Sequence, residues 1–555
     1  MYFKCIILIY NILLKGISVK NPGGIPISAE QITYKNIDPK VRTTIMIGLC
    51  VAMLGACFDG TIVGTIGTKL AEDLGGLSLY SWMVTAYLLC ETIMIPIAGK
   101  LSDIYGRKPL FLIGLGLFAV GSVLAGLSNS MEIFIACRAI QGVGGGILIP
   151  VATAAVADLY APRERARMQG LLGAIFGIGS GIGPLLGGYI EGAISWHWCF
   201  YINIPLALIA FFLTIKKFPT PTSIGDKNID YKGIAILTLL LLDLILLFEF
   251  GGKEFEWVSI ESIAMVVILV VLIAIFVKIE NRVKDPVLAP HLIHNKTVIM
   301  AAIFMAVFGI GMIGAMMFTN MLAISVFQLT TLEAGVWSLA MVAGMMITSI
   351  SSGALVNRTG YKPWLVVGPI LCFVGMIILY GMTVTPEIAG NLFTDPDYIQ
   401  ELYMVRYLIG TFIFGLGLGC IMSVIMAAVQ NSSKPSEMGM TTSSVNLIRS
   451  IGTTMGTAIF TMVINGRLTS ELQIVPPEIY DQLLHDTGVL GQIMQFPQYA
   501  PQILSAFSNS VDFSFLVGGV ILLLLVIVGV IFKAQKPEED TEFEAVKKKI
   551  EDGSE

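Results

Sequence analysis

The chain has 555 residues, 55% hydrophobic and 13% charged, with 34 Lys+Arg against 39 Asp+Glu and a mean hydropathy of +0.81. Soluble proteins carry about 25% charged residues, so this length cannot be several water-soluble domains, and most of the chain has lipid as its solvent. The net charge of −5, with no basic stripe, gives no support for a nucleic-acid surface.

Residues 1–42 open the chain with an apolar stretch, Cys5–Leu14, that is too short to span a bilayer, followed by mostly polar sequence. This reads as a cytoplasmic extension with no assigned function. A spanning helix needs about 20 apolar residues. Runs of that kind cover 43–67, 78–98, 110–128, 133–157, 167–190 and 197–215. Two more, 233–250 and 257–277, lie in the segment 216–296. Six others, 297–320, 333–356, 363–382, 404–429, 438–465 and 513–532, fill residues 297–535, with a long outer loop at 468–512. The tail 536–555 is Lys/Glu-rich and reads as disordered. The runs are continuous rather than alternating, so a β-barrel is excluded and an all-α polytopic membrane protein is expected.

Orientation follows from Lys and Arg, which accumulate on the cytoplasmic side. With fourteen spans, 28 of the 34 fall on one side, and only Lys69, Lys253 and Arg467 fall on the other. Moving the count by one helix destroys the pattern. A multi-pass protein of the cell membrane with both termini cytoplasmic is therefore expected. The eight Cys contain no CxxC pair, and the four His, including His291 and His294, lack convincing ligand spacing. Neither a disulfide framework nor a metal site is expected.

A few charges remain inside or near the spans: Asp59, Glu91, Arg138, Asp243, Arg406 and Arg449. A charge in a membrane interior costs at least about 2.5 kcal/mol, so such residues usually face a bundle interior or a cavity. Asp59 suits reversible protonation, or else serves as a structural partner. Glu91 is a second protonatable site, a ligand for a cationic substrate, or one half of an interhelical pair. Arg138 cannot readily lose its proton, so it is not the carrier, but it can stabilise an ionised acid. Asp243 lies in the inserted segment, where an oligomer or loop contact is as reasonable as transport, and Arg406 reads as an anchor near the outer end of its span.

The chain also repeats. Gly99-Lys-Leu-Ser-Asp103-Ile-Tyr-Gly106-Arg107-Lys108-Pro109 returns as Gly353-Ala-Leu-Val-Asn357-Arg358-Thr-Gly360-Tyr-Lys362-Pro363, an offset of 254. Gly142-Val-Gly-Gly-Gly146 returns as Gly415-Leu-Gly-Leu-Gly419. Two six-helix halves separated by two inserted helices follow, an arrangement used by transporters that hold substrate between the halves. Asp103, with Gly99, Gly106, Arg107 and Lys108, reads as a gating latch. Gly179, Gly183, Pro184, Gly187 and Gly188 lie on one span, where glycines four apart allow close helix contact. No Walker-type Gly-Lys-Ser/Thr accompanies the glycines, so they are not a nucleotide site.

These motifs together resemble the major facilitator superfamily, and within it the 14-helix drug:proton antiporter family. Gly99–Pro109 is similar to its loop between helices 2 and 3, and Phe58-Asp59-Gly-Thr61 through Ala71-Glu-Asp73-Leu-Gly75 to its helix 1 motif. Arg138-Ala-Ile-Gln141-Gly142 is similar to its helix 4 motif, Gly179–Gly188 to its helix 5 antiporter motif, and Trp196-His-Trp198 through Asn203-Ile-Pro205 to the start of helix 6. Gly64, Thr68, Ile104, His197 and Glu91 depart from the usual residues. The resemblance implies a two-bundle fold with two additional helices between the bundles in sequence. It also implies a proton-coupled exporter of drugs or amphipathic small molecules, cationic ones among them, with Asp59 and Arg138 in proton coupling and the helix 5 motif guarding against leakage. A transporter of one specific metabolite is the alternative, and a channel or scaffold fits less well. The expected partners are lipid, protons and a small-molecule substrate, with no obligate protein partner. No enzyme activity and no cofactor are expected, the proton gradient being the energy source.

Overall fold

The computed structural model describes residues 37–532, apart from 77–78, 219–228, 253–254, 284, 289, 291, 293–294, 389–396, 435–436 and 473–498. Most of the N-terminal extension, the tail 536–555, His291 and His294 lie outside the described residues. Among the described residues, fourteen helices are long and apolar enough to cross a membrane.

The first half comprises α1 (Pro39–Asp73), α2 (Tyr80–Tyr105), α3 (Arg107–Gly126), α4 (Met131–Leu159), α5 (Pro162–Ala193) and α6, which is broken into His197–Tyr201 and Asn203–Thr214. The inserted pair is α7 (Tyr231–Phe250) and α8 (Ile260–Glu280). The second half comprises α9 (Lys296–Met321, prolonged by a wider turn at Leu322–Val326), α10 (Thr331–Thr359), α11 (Lys362–Leu379), α12 (Asp397–Asn431), α13 (Met438–Glu471) and α14 (Ala500–Ile531).

Local chemistry sets several starts. Asp38 caps α1, its carboxylate accepting from the Lys40 N–H at 2.7 Å, with Pro39 in the first turn. Thr330 and Glu333 close a capping box at α10.

The boundaries correct the expected outer loop 468–512, because α13 continues to Glu471 and α14 already begins at Ala500. Ser505, Ser508, Ser510, Asp512 and Ser514 interrupt the apolar run in sequence, yet all five are buried. Ser508 accepts from the Val384 N–H at 3.2 Å and Asp512 from the Gly381 N–H at 2.6 Å. A helix can be polar where a neighbouring backbone satisfies it.

The repeat is present in three dimensions. Gly106 and Gly360 both adopt positive φ, +91° and +80°, and each separates two helices. Gly142 and Gly146 on α4 meet the α2 backbone at Tyr87 and Glu91, while Gly144 between them meets α3 at Phe118. In the second half Gly415 and Gly419 on α12 meet α10 at Met341 and Met345, while Gly417 meets α11 at Cys372. The same alternation of glycines lets the central helix of each half sit tightly between two neighbours.

One set of apolar cores lies among α1–α6 and another among α9–α14. The halves meet along α5 with α10 and α12, and along α2 with α13. The inserted helices lie outside this pairing. α7 covers the α2–α13 seam through Leu237, Leu240 and Leu241, which pack with Ile95 and Leu447. α8 packs on α7 and leaves nearly all its apolar side chains on the outer surface.

Candidate functional site

Asp59 lies in the middle of α1 and is wholly buried (0% exposed), as is Arg138 on α4 (1%). Their side chains form an ion pair through Arg138 Nη1 and Asp59 Oδ2. The other carboxylate oxygen accepts from Gln141 Nε2 at 2.7 Å and from Asn203 Nδ2 at 2.8 Å. Gln141 also donates to Ser122 Oγ at 2.7 Å and accepts from Arg138 at 2.6 Å. The guanidinium lies 4.3 Å above the ring of Tyr87, an arrangement that stabilises a cation against an aromatic face. Three helices thus meet at one carboxylate, α1, α4 and α6, and α3 joins the network through Ser122, which accepts from Gln141 and Asn203. Gln141 shares a face with Arg138 by its spacing of three, and Asn203 starts the second piece of α6 where the helix breaks. Both stood inside the sequence motifs, but neither was singled out; the signal available was an uncharged polar side chain within an apolar run.

The structure brings Glu91 near this cluster and also near Arg449. Thr92 and Ser450 share a 2.8 Å hydrogen bond across the α2–α13 seam, and Glu91 and Arg449 are the residues next to them in sequence. Electrostatic contact links Glu91 to both Arg449 and Arg138. Arg449 also lies 5.7 Å from the ring of Phe176 on α5. Arg449, read from sequence only as an additional intramembrane charge, therefore belongs to the centre.

The residues expected from sequence to form a latch assemble at the Lys/Arg-rich end. Asp103 accepts from the backbone N–H groups of Gly439 (2.9 Å) and Met440 (2.8 Å), so its charge sits at the start of α13, where helix N–H groups are free and the dipole is positive. Arg107 bridges Asp103 at 2.6 Å and Asp158 at 2.9 Å. Gly99 permits the contact, since a Cβ there would lie 2.0 Å from Ser443 Oγ. Lys108 is half-buried at the start of α3 and joins none of these bonds. The repeat supplies a second, uncharged version: Asn357 donates to Arg163 O at 2.7 Å, and Asn431 donates to Tyr361 Oη at 2.8 Å. Arg165 adds bonds to Gln430 O (3.2 Å) and Asn431 (3.1 Å). The halves are therefore closed on each other at the basic end.

The α5 glycines divide their work. Gly179, Gly183 and Gly187 back onto Cys57, Thr61 and Ile62 of α1, while Gly170, Gly173, Gly177 and Gly181 face Ser349, Met345 and Val342 of α10. The Gly179–Gly188 motif thus makes a contact inside the first half, and the contact between halves uses glycines on the adjoining face, of which Gly181 alone lies within the motif. Pro184 and Gly188 are half-buried on the same helix.

A family model described as Major Facilitator Superfamily matches residues 49–457. The chain belongs to the major facilitator superfamily. Multidrug transporter protein MdtP of Bacillus subtilis is 34% identical over 486 residues, covering 85% of this chain and 87% of that relative. Multidrug resistance protein 3 of the same organism is 32% identical over 428 residues, covering 77% and 80%. The human organic anion transporter MFSD10 has a similar fold, with a TM-score of 0.58 at 15% identity, covering 87% of this chain and all of that one. The proton:xylose symporter XylE has a TM-score of 0.57 at 13% identity, covering 91% and 99%. This superfamily member is accordingly a multi-pass membrane transporter.

Two sequence candidates fall outside the centre. Arg406 is a fastener: its guanidinium donates to Ile378 O (2.7 Å), Tyr380 O (2.6 Å) and Gly381 O (3.0 Å), closing the end of α11 where Gly381 takes φ +92°. Arg406→Ala is expected to lower stability by about 1–3 kcal/mol while leaving transport per folded molecule unchanged; thermal unfolding alongside an uptake assay checks both. Asp243 stands half-buried on α7, and its Oδ2 has no hydrogen-bond partner among the described residues.

Proposed function

We propose that the chain is a proton-driven antiporter that exports amphipathic drugs across the cell membrane by alternating access, with its basic end and both termini in the cytoplasm. The multidrug names of its relatives support the substrate class. One observation carries the mechanism: a single carboxylate, Asp59, is sealed from solvent and neutralised by Arg138. Protonating Asp59 removes the negative half of that pair and leaves an uncompensated buried cation, which costs about 3–5 kcal/mol when a partner is removed outright. The relief is at hand in Glu91, half-buried on α2 and within the electrostatic reach of Arg138. Proton uptake at Asp59 therefore changes what the seam presents to a substrate. Arg138 keeps its own proton throughout and acts by moving its attraction from one acid to the other. Closure at the basic end is supplied by Asp103 on the start of α13, and opening requires those bonds to part.

The test uses inside-out vesicles with an acidified lumen and a fluorescent amphipathic dye. Dye should accumulate in the lumen only while the pH gradient stands, and each addition of dye should make the lumen more alkaline. Accumulation that persists after an ionophore collapses the gradient would overturn the antiport reading.

A further inference from the structure

We propose that the α2–α13 seam beside α5 binds zwitterionic amphipaths, with an ammonium held at Glu91 and a carboxylate held by Arg449 and Asn446. This rests on the export reading above and names the substrate class of that transporter.

Three observations carry it. First, Glu91 and Arg449 lie on the two helices of the seam, each one residue from the Thr92–Ser450 bond that joins them, and each is half-buried well inside its helix. No direct ion pair joins them among the described residues, so neither charge is held by the other at bonding distance. Second, α13 carries a row of unpartnered donors. Thr442 Oγ1, Asn446 Nδ2 and Arg449 Nε are all buried and have no hydrogen-bond partner. Positions 442, 446 and 449 share one helix face, and Thr442 and Asn446 are 0% and 5% exposed. Each unpaired buried donor is costly, and a carboxylate can accept several such bonds at once, most strongly from a guanidinium. Third, an aromatic ring stands beside Arg449, Phe176 of α5 at 5.7 Å, as an apolar surface for the body of such a molecule.

A cation alone would satisfy Glu91 but would meet Arg449 as a like charge. An anion alone would fill the α13 row while facing Glu91. A molecule carrying both groups on an apolar body answers both charges.

The test compares three dyes of equal length. Nε-dansyl-lysine is the zwitterion, dansylcadaverine lacks its carboxylate, and 6-(dansylamino)hexanoate lacks its ammonium. Binding is read by dansyl fluorescence with the full chain in lipid nanodiscs. Nε-dansyl-lysine should bind at least tenfold more tightly than either relative. Glu91→Gln should reduce it to the level of the hexanoate, and Arg449→Gln to the level of the cadaverine. If Arg449→Gln does not fold, Arg449→Lys should retain the zwitterion preference, and the wild-type ranking already decides the matter. Equal or tighter binding of dansylcadaverine by the wild type, or an unchanged ranking in both variants, would overturn the inference. Gradient-driven export of dansylcadaverine without any zwitterion preference would overturn this site and leave the export reading standing. A zwitterion preference without gradient-dependent transport would do the reverse.

Discussion

Gly99→Val should abolish transport by making closure at the basic end unattainable. A Cβ at this position would lie 2.0 Å from Ser443 Oγ, 2.4 Å from Ser443 Cβ and 2.7 Å from Gly439 O. The obstruction is a short side chain and a backbone carbonyl, neither of which can swing away, so α2 and α13 must separate. Asp103 then loses its two N–H donors on Gly439 and Met440. Charge-assisted bonds of this kind contribute about 1.5–3 kcal/mol each, enough to move a balanced two-state equilibrium by more than tenfold. A spin-label or fluorescence distance between the ends of α2 and α13 should lengthen, and dye flux should fall to background. Adding Ser443→Gly to a milder Gly99→Ala variant should restore part of both. A variant that transports normally would show that this contact does not gate the cycle.

The second large effect concerns Arg138. Arg138→Gln leaves Asp59 with Gln141 and Asn203 but with no cation, inside a site sealed from water. Removing one partner of a buried pair costs about 3–5 kcal/mol, so the variant should unfold at a markedly lower temperature and lose gradient-driven flux. The double variant Asp59→Asn with Arg138→Gln should regain much of the lost stability, because both buried charges are gone, yet remain uncoupled. Equal stability of the single and double variants would show that the pair is not the energetic unit described here.

Much of the fold was legible in the sequence because lipid imposes simple rules: continuous apolar runs and one-sided Lys/Arg placed the spans. The rules fail where polar residues are satisfied by protein. Ser505 to Ser514 resembled a loop because their partners, the N–H groups of Gly381 and Val384, lie more than a hundred residues away in sequence. The site was legible in the same uneven way. Asp59 and Arg138 stood out as charges in lipid. Gln141, Asn203 and Ser122 carry no charge and became visible only when the helices were brought together. Asp103 stood out in the repeated motif, but its partner is the bare start of α13, which has no side-chain signature. Arg449 acquired meaning only once α13 was set against α2 and Glu91. The α5 glycines predicted a close helix contact, although spacing alone could not say that one face meets α1 and the adjoining face α10.

The central claim is that coupling runs through one sealed carboxylate, and Asp59→Asn in proteoliposomes tests it most directly, with dye exchange and uphill dye accumulation measured in the same preparation. The account predicts that exchange between the two faces persists while accumulation against a gradient falls at least about tenfold, the equivalent of 1.4 kcal/mol or more of lost driving. Undiminished, gradient-dependent accumulation by Asp59→Asn would contradict it.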